Sequence, residues 1–594
     1  MKYSDQFVDW LVEEGYTHCF FVAGGNIMHL LDSARSRVTC VPFVHEVAAT
    51  IAAEYFTETR DEAQGKAFVM VTAGPGLTNT MTGLASAWAE SRELLVVGGQ
   101  VKRSDLSRGQ VRQRGIQELD GARIAAPLCK RVLTIEAPVA RDVVIEAVRE
   151  GARPRKGPVF IEICLDAQAA PVLPVQEGQP TVSSDEAPRV AEGLTGKAIA
   201  LLEKSERPVI LLGQGVARAT ARALHDDFTA LGVPVMLTWN AADRMPHDHP
   251  VFAGRPNTWG QRYSNVLLQQ TDLLLAVGTR LGVQQTGFAW DEFVPVGTVV
   301  QVDIDQAELD KGHPHVELGL CGDANAFLRD VVTRAVPNLR WGEWRDFVDV
   351  VREALPLNEA ENVTAEGYVK PYELLMSLAD LAGDDDVIIP CSSGGAFTVA
   401  MQSILPRSRQ KVLSNKAVAS MGYGLSGAIG AALANPSRRT FLIEGDGGFA
   451  QNLQELGTVA ATNLPLKILL FANDGYASIR MTQRNYFGGA WVGCDAATGL
   501  GLPDWSLLAK AYGIAYAKVD PEVGWGGEVG ALLSSDEPAF IEVPIDPEQT
   551  YYPKIMSAVQ PDGFMKSNPL HTMHPVLDES TAARVLPYLT KKED

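Results

Sequence analysis

No stretch of this chain is apolar for the roughly 20 residues that a membrane-spanning helix needs. The opening MKYSDQFVDW has no basic region followed by an apolar core, so no secretory leader is expected there. Basic residues are in deficit, 52 Lys and Arg against 72 Asp and Glu for a net charge of -20. Nucleic acid and anionic membrane are therefore not expected partners. Cysteine is sparse and odd in number, seven at positions 19, 40, 129, 164, 321, 391 and 494, with no CxxC pair. That pattern argues against a disulfide framework or structural zinc and fits a reduced, cytoplasmic setting. Each cysteine is expected to be a small buried residue and not a nucleophile. The 594 residues, 46% hydrophobic and 21% charged, suffice for about three or four soluble globular domains.

The most informative stretch runs from Arg439 to Arg480. Thr440 to Ile443 reads as a buried strand stopping at Gly445-Asp446-Gly447-Gly448, where glycines let backbone turn sharply beside a ligand. A helix carrying Leu453, Leu456, Val459 and Ala460 follows, and Asn463-Leu464-Pro465 ends it before a second strand, Leu466 to Ala472. Two parallel strands joined by a crossover helix put Asp446 and Asn473 at the same sheet edge. A carboxylate, an amide oxygen and the Gly475 carbonyl are hard donors suited to Mg²⁺ or Ca²⁺, and helix-start N–H groups suit phosphate.

The rest alternates strand and helix, an α/β pattern. Gln6 to Glu14 is amphipathic, with Phe7, Val8, Leu11 and Val12 on one face. The strand Cys19 to Val22 ends at Ala23-Gly24-Gly25, a glycine pair that admits a ligand. Val38 to Val44 leads through His45-Glu46 into an Ala-rich helix, so Glu46 stands at a strand end; a first-turn glutamate favoured by the helix dipole is the plainer alternative. Phe68 to Thr72 and Leu94 to Gly99 are further strands, the first followed by Ala73-Gly74-Pro75-Gly76-Leu77-Thr78-Asn79. Val175 to Pro188 reads as a linker. In the middle third, Gly213-Gln214-Gly215, Gly278-Thr279-Arg280, Asp303-Ile304-Asp305 and Cys321-Gly322-Asp323 suggest an adenine nucleotide. Residues from about 345 to 368 read as acidic and irregular. In the last third, the hydroxyls and amides of Ser392, Ser393 and Gly394 suit a diphosphate, Ser420-Met421-Gly422 precedes a small-residue helix, and FIEVPI from Phe540 closes the sheet. The tail is a candidate cover for the site.

The GDG followed 27 residues later by an asparagine (473 minus 446) resembles the signature of the thiamine diphosphate superfamily that holds acetohydroxyacid synthases and pyruvate decarboxylases. The resemblance covers about residues 3 to 550 and implies three doubly wound parallel-sheet domains: pyrimidine-binding over 1–175, a middle FAD-binding-like domain over 190–345, and diphosphate-binding over 365–550, with a tail over 551–594. It implies that Asp446, Asn473 and Gly475 hold Mg²⁺, that Gly445, Gly447 and Gly448 cradle diphosphate, and that Glu46 activates thiamine diphosphate. Met421 matches the residue that wedges under the cofactor, a core methionine being compatible with that role. Gln117, in GIQELD, is similar to a glutamine facing the reaction centre, beside Gly24 and Gly25. Arg280, Asp305 and Asp323 match the segments that hold a non-redox FAD. Active sites shared between subunits imply a homodimer or homotetramer.

Three positions depart from the family pattern. Ala472 replaces the first of two asparagines. Gln284 stands where an arginine grips the second ketoacid, and a neutral amide cannot replace a bidentate guanidinium. Thr482 stands where a tryptophan selects the acceptor. With GRPNTWGQRYSN and GTRLGVQQTGFAW, these changes resemble the acetolactate-synthase-like carboligases of polysaccharide and natural-product pathways. The expectation is decarboxylation of a 2-oxoacid, pyruvate first, with acyl transfer to an aldehyde or ketone. An acetolactate synthase condensing two pyruvates and a catalytically silent nucleotide-binding protein are the alternatives.

Overall fold

A computed structural model describes residues 1–61, 63–172, 187–561 and 564–589. The linker reading over Val175 to Pro188 falls outside them except for its last two residues. Three parallel sheets organise the chain. The first has the spatial order Thr39–Pro42, Tyr16–Phe21, Lys66–Val71, Leu94–Gln100, Pro158–Cys164, Arg131–Ile135. The third repeats that order as Lys411–Val412, Val387–Pro390, Thr440–Gly445, Leu466–Ala472, Ala539–Pro544, Ala515–Lys518. The five-stranded middle sheet runs Leu318–Cys321, Thr298–Asp303, Leu273–Val277, Pro208–Leu212, Val235–Leu237. Central strands such as LLVVGGQ and LKILLFA are continuous apolar runs because helices cover both faces of such sheets.

The first and third sheets share a core through two Ala/Gly-rich helices, Glu46–Thr59 and Tyr423–Ala434. Their backbones meet closely: a Cβ at Gly430 would lie 2.0 Å from the Ala52 carbonyl oxygen, and one at Gly427 2.7 Å from the Tyr55 ring. Beside this contact Glu54 and Arg92 of the first unit, both fully buried, pair at 2.6 Å, and Arg92 reaches across to donate to the Ser414 carbonyl at 2.5 Å.

Several local expectations change. Val12 is 40% exposed, so the buried stripe of the first helix is Tyr3, Phe7, Val8 and Leu11. The single helix expected after Asp446 is two short helices, Asp446–Phe449 and Leu456–Thr462, joined by a 3-10 turn. Of the stretch from about 345 to 368 expected to be irregular, the part up to Ala354 belongs to helix Arg340–Ala354, anchored by Trp341 and Trp344, while 355–368 has neither helix nor strand. FIEVPI lies inside the sheet, with Ala515–Lys518 at the edge. All seven cysteines are free, but Cys321 is exposed and Cys40 only partly buried. Ile555, Leu570, Met573 and Val585 of the tail pack on the middle sheet's core, which makes the tail a strap for that domain.

Candidate active site

Strands Thr440–Gly445 and Leu466–Ala472 pair in parallel register, Gly445 beside Phe471, so Asp446 and Asn473 leave adjacent strands together. Asp446 is 1% exposed. Its Oδ2 accepts from the backbone N–H of Asn473 at 2.9 Å and of Gly475 at 3.3 Å, and its Oδ1 from Gly447 at 2.7 Å. Burial pushes this carboxyl up to about 7, and those N–H groups oppose the shift. The Asn473 amide stands with its oxygen toward the Asp446 Oδ1 and the Gly475 carbonyl; turned over, its NH₂ would lie 3.2 and 2.8 Å from them. Amide orientation follows from what the site must satisfy. Oxygen inward, three hard donors converge with no proton between them, which is the donor set of Mg²⁺. Among the described residues no cluster of three His, Cys, Asp or Glu side chains is placed for a metal.

The loop has little freedom. Gly475 has φ +137, and a Cβ there would meet the Cys494 carbonyl at 2.2 Å. A Cβ at Gly447 would lie 2.3 Å from the Tyr476 ring, whereas Gly445 borders open space and Gly448 touches only Glu444 at 3.3 Å. Arg480, 3% exposed, donates to the carbonyls of Asn473 at 2.6 Å, Asp474 at 3.2 Å and Pro547 at 3.2 Å. Neither Arg480 nor Tyr551 was legible as a site residue. Tyr551 packs where a Gly395 side chain would project, 2.5 Å from such a Cβ, and its buried hydroxyl makes no hydrogen bond among the described residues.

The Ser392 hydroxyl donates to the Ser420 carbonyl at 2.5 Å, tying two loops together. Ser393 and Gly394, with φ +85 at Gly394, start helix Gly394–Ser403, whose first N–H groups have no side-chain cap. Met421 is 40% exposed, so the core-methionine alternative falls away. It follows Ser420 on the loop closed by Gly422, whose φ is +78.

Glu46 begins helix Glu46–Thr59 and is 9% exposed. Its Oε2 accepts from Asn79 Nδ2 at 2.9 Å, so the turn after Gly74-Pro75-Gly76 orients it. Val44 and His45 donate their backbone N–H groups to Glu455, at 3.3 and 2.9 Å. No described hydrogen bond joins Glu46 to Asp446, Asn473 or Gly475. Gln117, at φ +64, is solvent-exposed and rests its backbone on Gly74, where a Cβ would lie 2.5 Å from the Gln117 carbonyl oxygen. The structure thus brings Gln117 beside the turn that holds Glu46. Gly24 packs against Thr72, 2.4 Å from where its Cβ would be, and Gly25 faces open space.

A cavity of about 830 Å³ lies where the three sheets meet. Nine Lys and Arg side chains line it against five Asp and Glu, although the whole chain is acidic. Arg280, Asp323 and Gln284 are on its wall. Asp305 is not: it caps a helix through the Ala307 N–H at 3.0 Å and pairs with Arg155 at 2.9 Å, while Asp303 and Ile304 line the cavity. Thr482 is exposed, its hydroxyl donating to the Ser478 carbonyl at 2.9 Å.

Three sequence models of one family match in order: the thiamine pyrophosphate enzyme N-terminal TPP binding domain over residues 1–124, the central domain over 195–331, and the C-terminal TPP binding domain over 393–543. The chain belongs to the thiamine pyrophosphate enzyme family. Similar proteins span nearly the whole of it. Acetolactate synthase isozyme 1 large subunit of Escherichia coli is 29% identical over 558 residues, 92% of this chain and 94% of its own. The acetolactate synthase large subunit of Parasynechococcus marenigrum is 28% identical, covering 92% and 88%. The probable acetolactate synthase large subunit of Methanocaldococcus jannaschii is 28% identical, covering 92% and 93%. This thiamine pyrophosphate enzyme is a decarboxylase and carboligase of the acetolactate synthase type. Among its described residues no helix is long and apolar enough to cross a membrane.

Proposed function

We propose that the protein decarboxylates pyruvate or a close 2-oxoacid and joins the acyl group to a second pyruvate, as the names of its relatives suggest. The observation that carries this reading is the convergence of Asp446, Asn473 and the Gly475 carbonyl, the Asn473 amide lying 3.2 Å from the Asp446 carboxylate and 2.8 Å from the Gly475 carbonyl. Thiamine diphosphate supplies a nucleophilic carbon and an electron sink for loss of CO₂. The chain's own residues bind and orient. Asp446, Asn473 and Gly475 hold Mg²⁺; the backbone at Gly445, Gly447, Gly448, Ser393 and Gly394 receives diphosphate; Glu46, steadied by Asn79, takes the hydrogen bond that activates the cofactor. Met421 supports the cofactor, and Gln117 with Gly24 and Gly25 borders the substrate.

The basic cavity bearing Arg280 and Asp323 suits a dinucleotide, and FAD in a non-redox role is the proposed occupant. Glu46 and the metal corner are joined by no described hydrogen bond, and Val44, Met421, Ile479 and Phe487 expose apolar surface beside them. A homodimer or homotetramer in which one copy supplies Glu46 to another's metal corner follows, in a cytoplasmic setting. The domain roles assigned to residues 1–175, 190–345 and 365–550 belong to the same reading.

A second reading rests on Gln284 and Thr482, neutral residues at the positions expected to select a ketoacid acceptor. It is transfer to an aldehyde or ketone. Product analysis with pyruvate alone, then with carbonyl acceptors added, separates the two. Rapid 2-acetolactate formation from pyruvate alone supports the first; product formation only with an added acceptor supports the second; no CO₂ release under either condition refutes both.

A further inference from the structure

A second, smaller cavity of about 150 Å³ opens where the middle sheet's loops, the end of helix Arg340–Ala354 and the segment after Gly394–Ser403 meet. It shares no residue with the large basic cavity or with the metal corner. Arg255 forms one wall and is 1% exposed. Two of its nitrogens donate to backbone carbonyls, Nε to Met401 at 3.0 Å and Nη2 to Ile404 at 2.7 Å. Nη1 makes no hydrogen bond among the described residues, and no carboxylate pairs with this guanidinium.

Burying a cation without a counter-ion costs several kcal/mol as an order of magnitude. Arg352 stands on the same wall, donates only to the Phe252 carbonyl at 3.3 Å, and lies 5.9 Å from the Tyr263 ring centroid. Two guanidinium groups without carboxylate partners among the described residues therefore border one small cavity. Phe252, Leu355, Leu357 and Leu405 give it an apolar side, and His247, Gln261 and Tyr263 complete the lining. A planar carboxylate fits the fork of a guanidinium bidentately, and the apolar side suits a short hydrocarbon group. The volume is too small for a nucleotide.

We infer that this cavity binds a short-chain aliphatic carboxylate, held by Arg255 and Arg352 with its alkyl group against Phe252, Leu355 and Leu405. The site lies at the joint between the middle sheet and the diphosphate-binding region, separate from the thiamine site. Its failure leaves the proposed function untouched.

The test uses the full-length protein and butyrate as probe, with butyramide as its uncharged counterpart and inorganic phosphate as the compact anion, all at constant ionic strength. Thermal unfolding and isothermal titration are both read. The expected result is saturable stabilisation by butyrate in the millimolar range and none by butyramide. Arg352→Leu, at a half-buried position chosen to spare the fold, should weaken butyrate binding about tenfold or more, the scale of one charge-assisted hydrogen bond. Arg255→Lys provides a second variant that keeps the charge but not the fork and should weaken it similarly. An equal response to butyrate and butyramide, to phosphate and butyrate, or of wild type and Arg352→Leu overturns the assignment.

Discussion

Replacing Arg480 by Met tests whether the metal corner depends on a buried clamp. The guanidinium donates to three backbone carbonyls, those of Asn473, Asp474 and Pro547. Hydrogen bonds from a charged donor contribute about 1.5–3 kcal/mol each, so three would give roughly 4–9 kcal/mol. Two effects reduce that. Arg480 is 3% exposed with no carboxylate partner, so the folded state already carries its desolvation cost, and its Nε is buried without a partner. Methionine also recovers part of the packing of the long side chain. A net loss of about 2–4 kcal/mol follows, part of it local to the loop carrying Asn473 and Gly475. Urea unfolding should show the loss, and Mg²⁺ titration of pyruvate decarboxylation should show half-saturation raised about tenfold. Arg480→Lys should recover part of the stability and less of the metal affinity, because an ammonium cannot span three carbonyls in one plane. An Arg480→Met protein with unchanged urea midpoint and unchanged Mg²⁺ half-saturation would falsify the clamp.

Three further outcomes follow from particular contacts. Glu46→Gln should abolish turnover by at least a hundredfold while leaving the unfolding temperature within a few degrees, and Asn79→Ala should lower kcat/KM about tenfold by freeing the Glu46 carboxylate; wild-type turnover in Glu46→Gln would remove Glu46 from the chemistry. Gly430→Ala should cost about 3 kcal/mol or more, since its Cβ would sit 2.0 Å from the Ala52 carbonyl oxygen and the two helices must separate, which urea unfolding at neutral pH measures. Glu162, 3% exposed, has its carboxyl pushed up to about 7 by burial, with Asp120 and Glu118 adding to the shift and the Gln100 amide opposing it. A raised acid means the folded state keeps a proton that the unfolded chain has lost, so stability should fall as pH rises from about 4.5 to about 7, by about 3 kcal/mol in all. Glu162→Gln should abolish that fall and be the more stable protein at pH 8; an unchanged pH slope refutes the assignment.

The strand ends could be read directly because glycines and ligating side chains interrupt apolar runs there, and a parallel sheet gathers such ends on one edge. Thr440–Gly445 and Leu466–Ala472 emerged almost residue for residue, and Asp446 and Asn473 met as their spacing implied. Helix interiors were less legible. The pattern at Leu453, Leu456 and Val459 does not reveal the break after Phe449, because apolar spacing marks a buried face and not where a helix stops. Val12 was placed on the buried face because apolar identity does not say which stripe a neighbour covers. Asp305 shows the same limit: matched in sequence to the segments that hold FAD, it lies off the cavity wall, caps a helix and pairs with Arg155, which is 150 residues away in sequence.

The sequence by itself determined the three α/β units and the meeting of Asp446 and Asn473 at adjacent strand ends, because each is a local pattern of strand and turn. Only the tertiary structure decided how they are held. Arg480 clamps carbonyls from two loops, Asn79 reaches Glu46 from another strand end, and the tail starts at Tyr551 beside Asp446 before it packs on the middle sheet. The small cavity at Arg255 and Arg352 joins segments about 100 residues apart. Such contacts depend on burial and on which unpaired groups the packing brings together, and no window of sequence encodes either.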